Sequence, residues 1–186
     1  MPSNGSKVLA FDLNLRPSAA GAACITAIQG EGVAACAKHW PGHGDTTEDS
    51  HDTLPTLLHS MARLQGTEMK PFAAAIAAGV GSVLVAHLVV PAMEPPATPG
   101  TGGTGGTGGT GPPVPASCSK AVVGYLRDPK HMGYRGLVMT DDMAGGILRT
   151  STRPTLCSGL PSLRVDMSMH PEGQSCSDLG SSACSQ

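Results

Sequence analysis

The amino-acid sequence predicts an α/β fold built around a parallel sheet, and two observations lead to this prediction. Continuous apolar runs that end in polar residues occur at 33–40, 82–90 and 136–142. Such runs are typical of strands that are buried on both faces by helices. Helical patterns precede the three runs, at residues 18–29, 69–79 and 119–128. This repeated order of helix and strand indicates a parallel open sheet or a barrel.

The three predicted strands carry polar side chains close to the point where each strand ends. These residues are Lys38 and His39 in VAACAKHW, His87 in SVLVAHLVV, and Asp141 and Asp142 in GLVMTDD. In open α/β sheets and in barrels, the carboxyl ends of the strands form the edge at which active sites are built. The shorter run VLAFDLN (8–14) would suit a remnant of an earlier strand, but nothing else in the sequence supports that assignment.

Two segments do not fit a packed α/β unit. TPGTGGTGGTGGTGPPVP (98–115) is a Thr-Gly-Gly repeat closed by prolines, which predicts a flexible insert. Residues 148–186 are rich in Ser, with scattered Cys and no helical or strand period, which predicts a disordered tail. We therefore expect one folded unit over residues 1–147, interrupted by the insert.

The composition excludes several classes of function. A formal charge of −2 and a pI near 6.4 provide no basic surface for nucleic acid. The sequence has no run of eighteen apolar residues to span a membrane, and its N-terminus lacks the pattern of a secretory signal. Six Cys without a CxxC pair indicate free thiols in a reducing compartment. We therefore expect a cytoplasmic protein without nucleic-acid or membrane partners.

The segment KHWPGHGDTTEDSH (38–51) concentrates groups that bind metal, move protons or hold polar ligands. It contains three His, two Asp, one Glu and one Lys. Three hypotheses are open: a metal site, a catalytic loop and a solvated surface turn. The candidate metal ligands are of types that Zn and Fe sites use, namely His39, His43, His51, Asp45 and Asp49. Their spacing matches no compact motif such as HExxH, and a surface turn would leave the Lys-His pair at a strand end unexplained.

The catalytic hypothesis assigns complementary roles to residues that are distant in the sequence. His51 can transfer a proton near neutral pH, and Asp49 can orient its ring as the acid of a His-Asp dyad does. Asp141 can supply a carboxylate from the end of another strand. Two structural alternatives stay open: Asp49 as a turn cap, and His87 as a hydrogen-bonded residue at its strand end.

Three motifs, in this order, resemble glycoside hydrolase family 3 and, more narrowly, its β-N-acetylglucosaminidase branch. They are KHWPGHG (38–44), DSH (49–51) and TDD (140–142). The similarity runs from about Ala19 to about Ile147, apart from the Thr-Gly-Gly insert. It implies a retaining hydrolase that cleaves terminal β-linked N-acetylglucosamine, with a carbohydrate as partner and with neither metal nor cofactor.

The resemblance also implies a role for each matching residue. Asp141 would be the nucleophile and Asp142 its neighbour, because the attacking Asp of this family directly follows a Ser or Thr. His51 would be the general acid/base, and Asp49 would orient it. The predicted substrate-binding residues are Lys38 and His39, which match the pair that holds sugar hydroxyls, together with His43 and His87.

The fold that the resemblance implies is larger than this chain. The catalytic domain of the family is a (β/α)8 barrel, which takes about 250 residues. We therefore expect residues 1–147 to form a partial, truncated barrel. Two other functions stay open: an inactive remnant or sugar-binding fragment of the family, and a β-glucosidase-type member. The DSH motif separates the β-N-acetylglucosaminidase branch from the β-glucosidases, whose acid/base lies elsewhere.

Overall fold

A computed structural model describes residues 18–43, 54–94 and 113–141, together with the backbone of 8–12. Within these residues, four strands form one sheet in the order β1-β2-β3-β4, and every neighbouring pair is parallel. The strands are β1 Val8–Asp12, β2 Ala34–Trp40, β3 Ser82–Val85 and β4 Leu137–Thr140. The predicted α/β class and its parallel sheet are confirmed.

Three helices precede β2, β3 and β4, as the sequence predicts: α1 Ser18–Gly30, α3 Lys70–Ala77 and α4 Lys120–Arg127. A short helix α2 Met61–Arg63 and a π-helical segment Leu64–Glu68, which the sequence did not predict, lead into α3. Short 3₁₀ turns occur at Pro91–Met93 and Ala116–Cys118. α4 begins after an N-cap, because the Ser119 hydroxyl accepts a hydrogen bond of 3.1 Å from the Val122 N–H. In the described part of the chain, no helix is long and apolar enough to cross a membrane.

The unassigned run near the N-terminus forms a strand. β1 pairs with β2 over five residues, from Val8 opposite Ala34 to Asp12 opposite Lys38. The sequence predicted this strand only weakly because the run is short and has no neighbouring pattern to support it. Its pairing partner, which the sequence cannot reveal, supplies the backbone hydrogen bonds that stabilise it.

The predicted strand 82–90 is too long, because β3 ends at Val85. From Leu88 onward, the chain bonds to two loops instead of a neighbouring strand. The Leu88 carbonyl accepts a bond of 2.7 Å from Ala116 N–H, and Val89 N–H donates to the Pro55 carbonyl at 2.8 Å. Residues 86–90 are buried all the same, so their apolar pattern matches that of a strand. His87 therefore lies two residues past the strand rather than within it.

The core fills the space between the sheet and the helices, and Trp40 lies at its centre. The indole is fully buried, and its ring meets that of Phe72 edge to face, with 5.2 Å between centroids. Its Nε1 donates to the Val122 carbonyl at 3.3 Å. The last residue of β2 thus fixes both α3 and α4 against the sheet.

Side chains also secure the turns that lead into β3 and β4. Gln29, near the end of α1, donates to the Gly79 carbonyl at 3.0 Å and accepts from Gly81 N–H at 2.9 Å. Tyr134 donates its hydroxyl to the Val80 carbonyl at 3.2 Å, and Arg127 donates to the Gly136 carbonyl at 2.6 Å. These bonds fix the amino-terminal edge of the sheet, opposite the edge where the candidate site lies.

The predicted insert 98–115 falls mostly outside the described residues, as does the predicted tail 148–186. The packed chain resumes within the predicted insert, because Val114 is already buried in the core. On the other side of the segment, the Glu94 carboxylate accepts a hydrogen bond from the Ser119 hydroxyl. The two ends of this segment are therefore held together at its base.

Candidate active site

The carboxyl-terminal edge of the sheet brings together two of the predicted site residues that are far apart in sequence. His39 lies in the last part of β2, and Asp141 follows β4 directly. The His39 Nε2 atom lies 3.7 Å from the Asp141 Oδ2 atom, and the two side chains are 20% and 29% exposed. Because β3 separates β2 from β4, this contact crosses a whole strand. Because both side chains are partly exposed, a ligand can reach the pair, and each residue is anchored at the end of its own strand.

Asp141 is held in place by the parallel ladder. β3 and β4 pair without irregularity from Ser82 opposite Leu137 to Val85 opposite Thr140. The Asp141 N–H extends this ladder, since it donates to the Val85 carbonyl at 3.1 Å. A carboxylate on a regular strand end has a defined position, which a nucleophile requires.

Lys38 and His39 lie at an irregularity of β2. Ala37 pairs with Val83 and Trp40 pairs with Val85, so β2 uses three steps where β3 uses two. This two-against-one arrangement is a β-bulge, a feature that re-aims side chains beside active sites. The peptide bonds Lys38–His39 and Trp40–Pro41 are both cis.

Pro41 and Gly42 turn the chain directly after β2, so that His43 lies beside His39. Gly42 has a φ of 133°, a backbone conformation that favours glycine, and its N–H donates to the His39 carbonyl at 2.8 Å. The His43 ring consequently meets the His39 ring at 5.7 Å between centroids and an angle of 66°. Both imidazoles therefore lie in one cluster with Asp141.

His87 is buried and hydrogen-bonded, as one of its two sequence-based alternatives predicted. Its Nδ1 atom lies 2.7 Å from the Ser117 Oγ atom. Ser117 belongs to the 3₁₀ turn before α4, and sequence reasoning missed it because a lone Ser in a Pro- and Ala-containing turn carries no distinguishing pattern. The substrate-binding role of His87 stays a prediction.

Cys36 is the nucleophilic group nearest to Lys38 along β2, and it is not poised to react. Burial raises the pKa of its thiol, and the opposing effects of the Ser82 hydrogen bond and the Lys38 charge are smaller. A buried thiol with a raised pKa is inert. Among the described residues the carboxylate of Asp141 is therefore the better nucleophile at this edge.

The other predicted site residues lie outside the described part of the chain. They are Asp45, Asp49, His51 and Asp142. The predicted His51–Asp49 dyad and three of the five candidate metal ligands are among them. Within residues 18–43, 54–94 and 113–141, no group of three or more His, Cys, Asp or Glu is arranged to hold a metal ion.

A groove of about 290 Å³ lies elsewhere, between α3 and α4. Its walls include Met69, Lys70, Tyr125, Lys130 and His131. None of the predicted site residues that the structure describes lines it. Because it lies among helix side chains rather than at strand ends, we do not count it as part of the candidate site.

Comparisons with known proteins give a consistent result. The sequence model for the glycosyl hydrolase family 3 N terminal domain matches residues 12–177. A β-hexosaminidase from Xanthomonas oryzae pv. oryzae (strain MAFF 311018) is 32% identical over 132 residues, which cover 67% of this chain and 34% of that protein. β-Hexosaminidase A from Pseudoalteromonas piscicida is 34% identical over 128 residues, which cover 67% of this chain and 20% of that protein.

A solved structure agrees with these relatives. The glycoside hydrolase family 3 β-N-acetylglucosaminidase from Paenibacillus sp. superposes on this chain with a TM-score of 0.63 at 35% sequence identity. The superposition covers 81% of this chain and 26% of that one. The chain thus spans between a fifth and about a third of the length of the relatives it matches.

Proposed function

The chain belongs to glycosyl hydrolase family 3, and we propose that it carries the catalytic edge of a retaining hydrolase for terminal β-linked N-acetylglucosamine. The observation that carries this proposal is the contact between His39 and Asp141 across β3, at 3.7 Å. Two relatives that are 32% and 34% identical over 67% of the chain are named β-hexosaminidases. A hexosaminidase needs a sugar-binding group beside a nucleophilic carboxylate, and this pair provides both.

The proposed reaction proceeds in two steps. In the first step, the Asp141 carboxylate attacks the anomeric carbon and the glycosidic bond breaks, while the imidazolium of His51 gives its proton to the departing oxygen. The product of this step is a glycosyl-enzyme ester on Asp141. Water then attacks the same carbon, neutral His51 takes the proton, and Asp141 leaves as a carboxylate. Asp49 orients the His51 ring throughout.

Lys38, His39 and His43 would bind the sugar in this scheme. His39 lies beside the nucleophile, and His43 lies against His39. Hydroxyl groups bound by this cluster would place the anomeric carbon within reach of Asp141. Such fixed proximity supplies a large part of the rate enhancement in enzymes.

We also propose that the sheet is part of a (β/α)8 barrel. Four parallel strands follow one another in sequence order, with helices between them. A doubly wound sheet reverses its strand order at a switch point, whereas a barrel keeps sequential order, and β1–β4 contain no reversal. The division into a folded unit over 1–147 and a tail over 148–186 belongs to the same proposal.

The test is hydrolysis of a chromogenic N-acetyl-β-glucosaminide by the purified chain. Asp141→Asn should lower kcat by about a thousand-fold or more, because it keeps the shape of the nucleophile and removes its charge. His51→Ala should also lower kcat strongly. Asp128→Asn is a matched control, since Asp128 lies at the end of α4 and its Oδ1 accepts from Lys130 N–H at 2.9 Å, a bond that Asn can keep.

The outcomes separate the competing functions. An inactive wild-type chain that folds would support a remnant or sugar-binding fragment. Faster turnover of the corresponding glucoside would support a β-glucosidase-type member, although the names of the relatives favour the hexosaminidase. Loss of activity on addition of a chelator would support the metal hypothesis. Full activity with chelator and loss in Asp141→Asn would support the proposed mechanism.

A further inference from the structure

The helices that precede the strands pack against one face of the sheet. α1, α3 and α4 each place a buried side chain in a single core cluster, through Ile25, Phe72 and Val122. Val83 and Val138, which pair with each other in β3 and β4, join this cluster from the sheet. Because successive side chains of a strand alternate between faces, the neighbours of these two valines point to the opposite face.

Three apolar side chains of β3 and β4 lie on that opposite face: Leu84, Leu137 and Met139. Met139 is paired with Leu84, and Leu137 is the first residue of β4. None of these three described residues belongs to the core cluster. Leu137 is 41% exposed, and Leu84 and Met139 are half-buried. The described part of the sheet thus has a second apolar face, away from the helices.

The two outer strands of the described sheet are its open edges. Among the strands that the structure describes, β1 pairs with β2 alone and β4 pairs with β3 alone. Leu137 and Asp141 direct their N–H groups to carbonyls at the β3 side. Val138 and Thr140, which alternate with them, therefore direct their N–H groups to the outer edge. Such an edge is a template on which a strand of another chain can pair.

A second copy of this chain would satisfy both the apolar face and the open edges. A closed barrel with helices outside contains eight parallel strands, and two four-stranded sheets supply that number. A twofold axis along the barrel would set β4 of each copy beside β1 of the other, so that one kind of contact closes both edges. The second apolar face would then become the barrel interior, which inward-facing side chains fill.

The side chains of this face are suited to a contact with an identical face. Cys36 and Ser82 lie on it as well, because they are paired in one row with Leu137. Together with Leu84 and Met139, these residues are uncharged. Two copies would therefore bring no like charges of the described strands together in the interior, where an unpaired charge is costly.

We propose that this chain forms a homodimer in which two four-stranded sheets close one eight-stranded barrel. The strand β4 of each copy pairs in parallel with β1 of the other, and Leu84, Leu137 and Met139 fill the interior. The inference rests on the barrel proposed above and names the partner that completes it. Because all eight strands run in the same direction, both copies of the His39–Asp141 pair lie at one end of the barrel.

The mass of the purified 186-residue chain in solution tests the dimer. Light scattering during size-exclusion chromatography should give twice the chain mass of 18.7 kDa. Leu137→Asp should weaken the dimer about a hundred-fold or more, because it places a carboxylate in the closed apolar interior. Leu58→Asp is the matched control, since Leu58 precedes α2, lies outside the sheet and is 83% exposed. It should leave the mass unchanged.

Hydrogen exchange measures the strand contact directly. The amides of Val138 and Thr140 should exchange at least about tenfold more slowly in the dimer than in a sample diluted until it dissociates, because pairing with β1 of the other copy protects them. Equal exchange in dimer and monomer would overturn the β4–β1 contact. This measurement uses the wild type, so it decides the question if Leu137→Asp does not fold.

The remaining outcomes are equally decisive. A monomer at every loading concentration would overturn the proposal, as would a dimer that Leu58→Asp dissociates and Leu137→Asp does not. A mass that keeps growing with concentration would overturn closure, because an open assembly always leaves an edge for the next copy. None of these measurements depends on turnover. A dimer that does not hydrolyse the chromogenic substrate supports this inference and contradicts the proposed function, whereas an active monomer does the reverse.

Discussion

Gly136 fills a position at which any side chain collides with its surroundings, so Gly136→Ala should strongly destabilise the fold. It lies directly before β4. A Cβ atom built on it would lie 2.6 Å from Tyr134 Cζ and 2.9 Å from the Gly81 carbonyl oxygen. The second atom belongs to the backbone of the turn before β3 and cannot rotate away. The amino-terminal edge of the sheet therefore has to deform.

The cost follows from what has to move. The Tyr134 ring is buried, its hydroxyl bonds to Val80, and Arg127 lies over its face at 5.6 Å from the centroid. Displacing the ring breaks a buried hydrogen bond, worth about 1 kcal/mol. Overpacking adds about 1–3 kcal/mol. A combined loss of about 2–4 kcal/mol should lower the Tm by roughly 5–15 °C.

Gly124→Ala provides the matched control. Gly124 lies within α4, and a Cβ atom built there meets no atom within 4 Å. Replacing a helical Gly by Ala should stabilise the protein by about 0.5–1 kcal/mol. Thermal melts followed by circular dichroism should therefore shift in opposite directions. If Gly136→Ala melts at or above the wild-type temperature, the arrangement of Tyr134 against Gly81 is wrong.

Three further changes test other contacts. Burial raises the pKa of the Tyr134 phenol, and the Arg127 charge opposes this effect. The folded state therefore holds the phenol proton more tightly than the unfolded state does. This contribution to stability is complete below the unfolded pKa of about 10 and is lost as the pH rises above that value. Tyr134→Phe should thus show a smaller fall in urea midpoint between about pH 9 and pH 11 than the wild type. Gln29→Ala should cost about 1–3 kcal/mol in urea unfolding, because it removes both the donor to the Gly79 carbonyl and the acceptor of the Gly81 N–H. Ser119→Ala should cost about 1 kcal/mol by loss of the α4 cap. Asp is normally a good N-cap, but Ser119→Asp should be no more stable than Ser119→Ala, because its carboxylate would face that of Glu94. Adding Glu94→Gln should remove this repulsion and restore stability.

Each of these expectations has a contradicting result. An equal alkaline loss in Tyr134→Phe and wild type would show that another group titrates. Equal stability of Gln29→Ala and wild type would show that the turn before β3 does not depend on this side chain. A Ser119→Asp protein that is as stable as the wild type, with Glu94 intact, would exclude a close approach of the two groups.

The sequence predicted the elements in which buried residues also form regular secondary structure. It failed where residues are buried without pairing as a strand. β2, β4, α1, α3 and α4 follow from apolar runs and helical spacing. Residues 88–90 are as apolar as a strand because they are buried, but the hydrogen bonds of Leu88 and Val89 go to loops around Ala116 and Pro55. Burial and strand pairing are separate conditions, and the pattern reports only the first.

The sequence likewise predicted some residues of the candidate site and missed others. His39 and Asp141 were predicted because both lie near the carboxyl ends of predicted strands, and the structure brings them together across β3. Ser117 was missed because its hydrogen bond reaches a residue thirty positions earlier. Neither its residue type nor its neighbours mark such a contact. The roles of Asp49 and His51 stay predictions, since both residues lie outside the described part of the chain.

The closed base formed by Glu94 and Ser119 has a consequence for the history of the Thr-Gly-Gly segment between them. The entropic cost of closing a flexible loop rises only with the logarithm of its length, at about 0.6 kcal/mol per doubling. With both ends already joined, gain or loss of repeats costs the folded chain less than the loss of one helix cap. For an insert as flexible as its sequence predicts, selection on stability should therefore have little effect on the number of repeats.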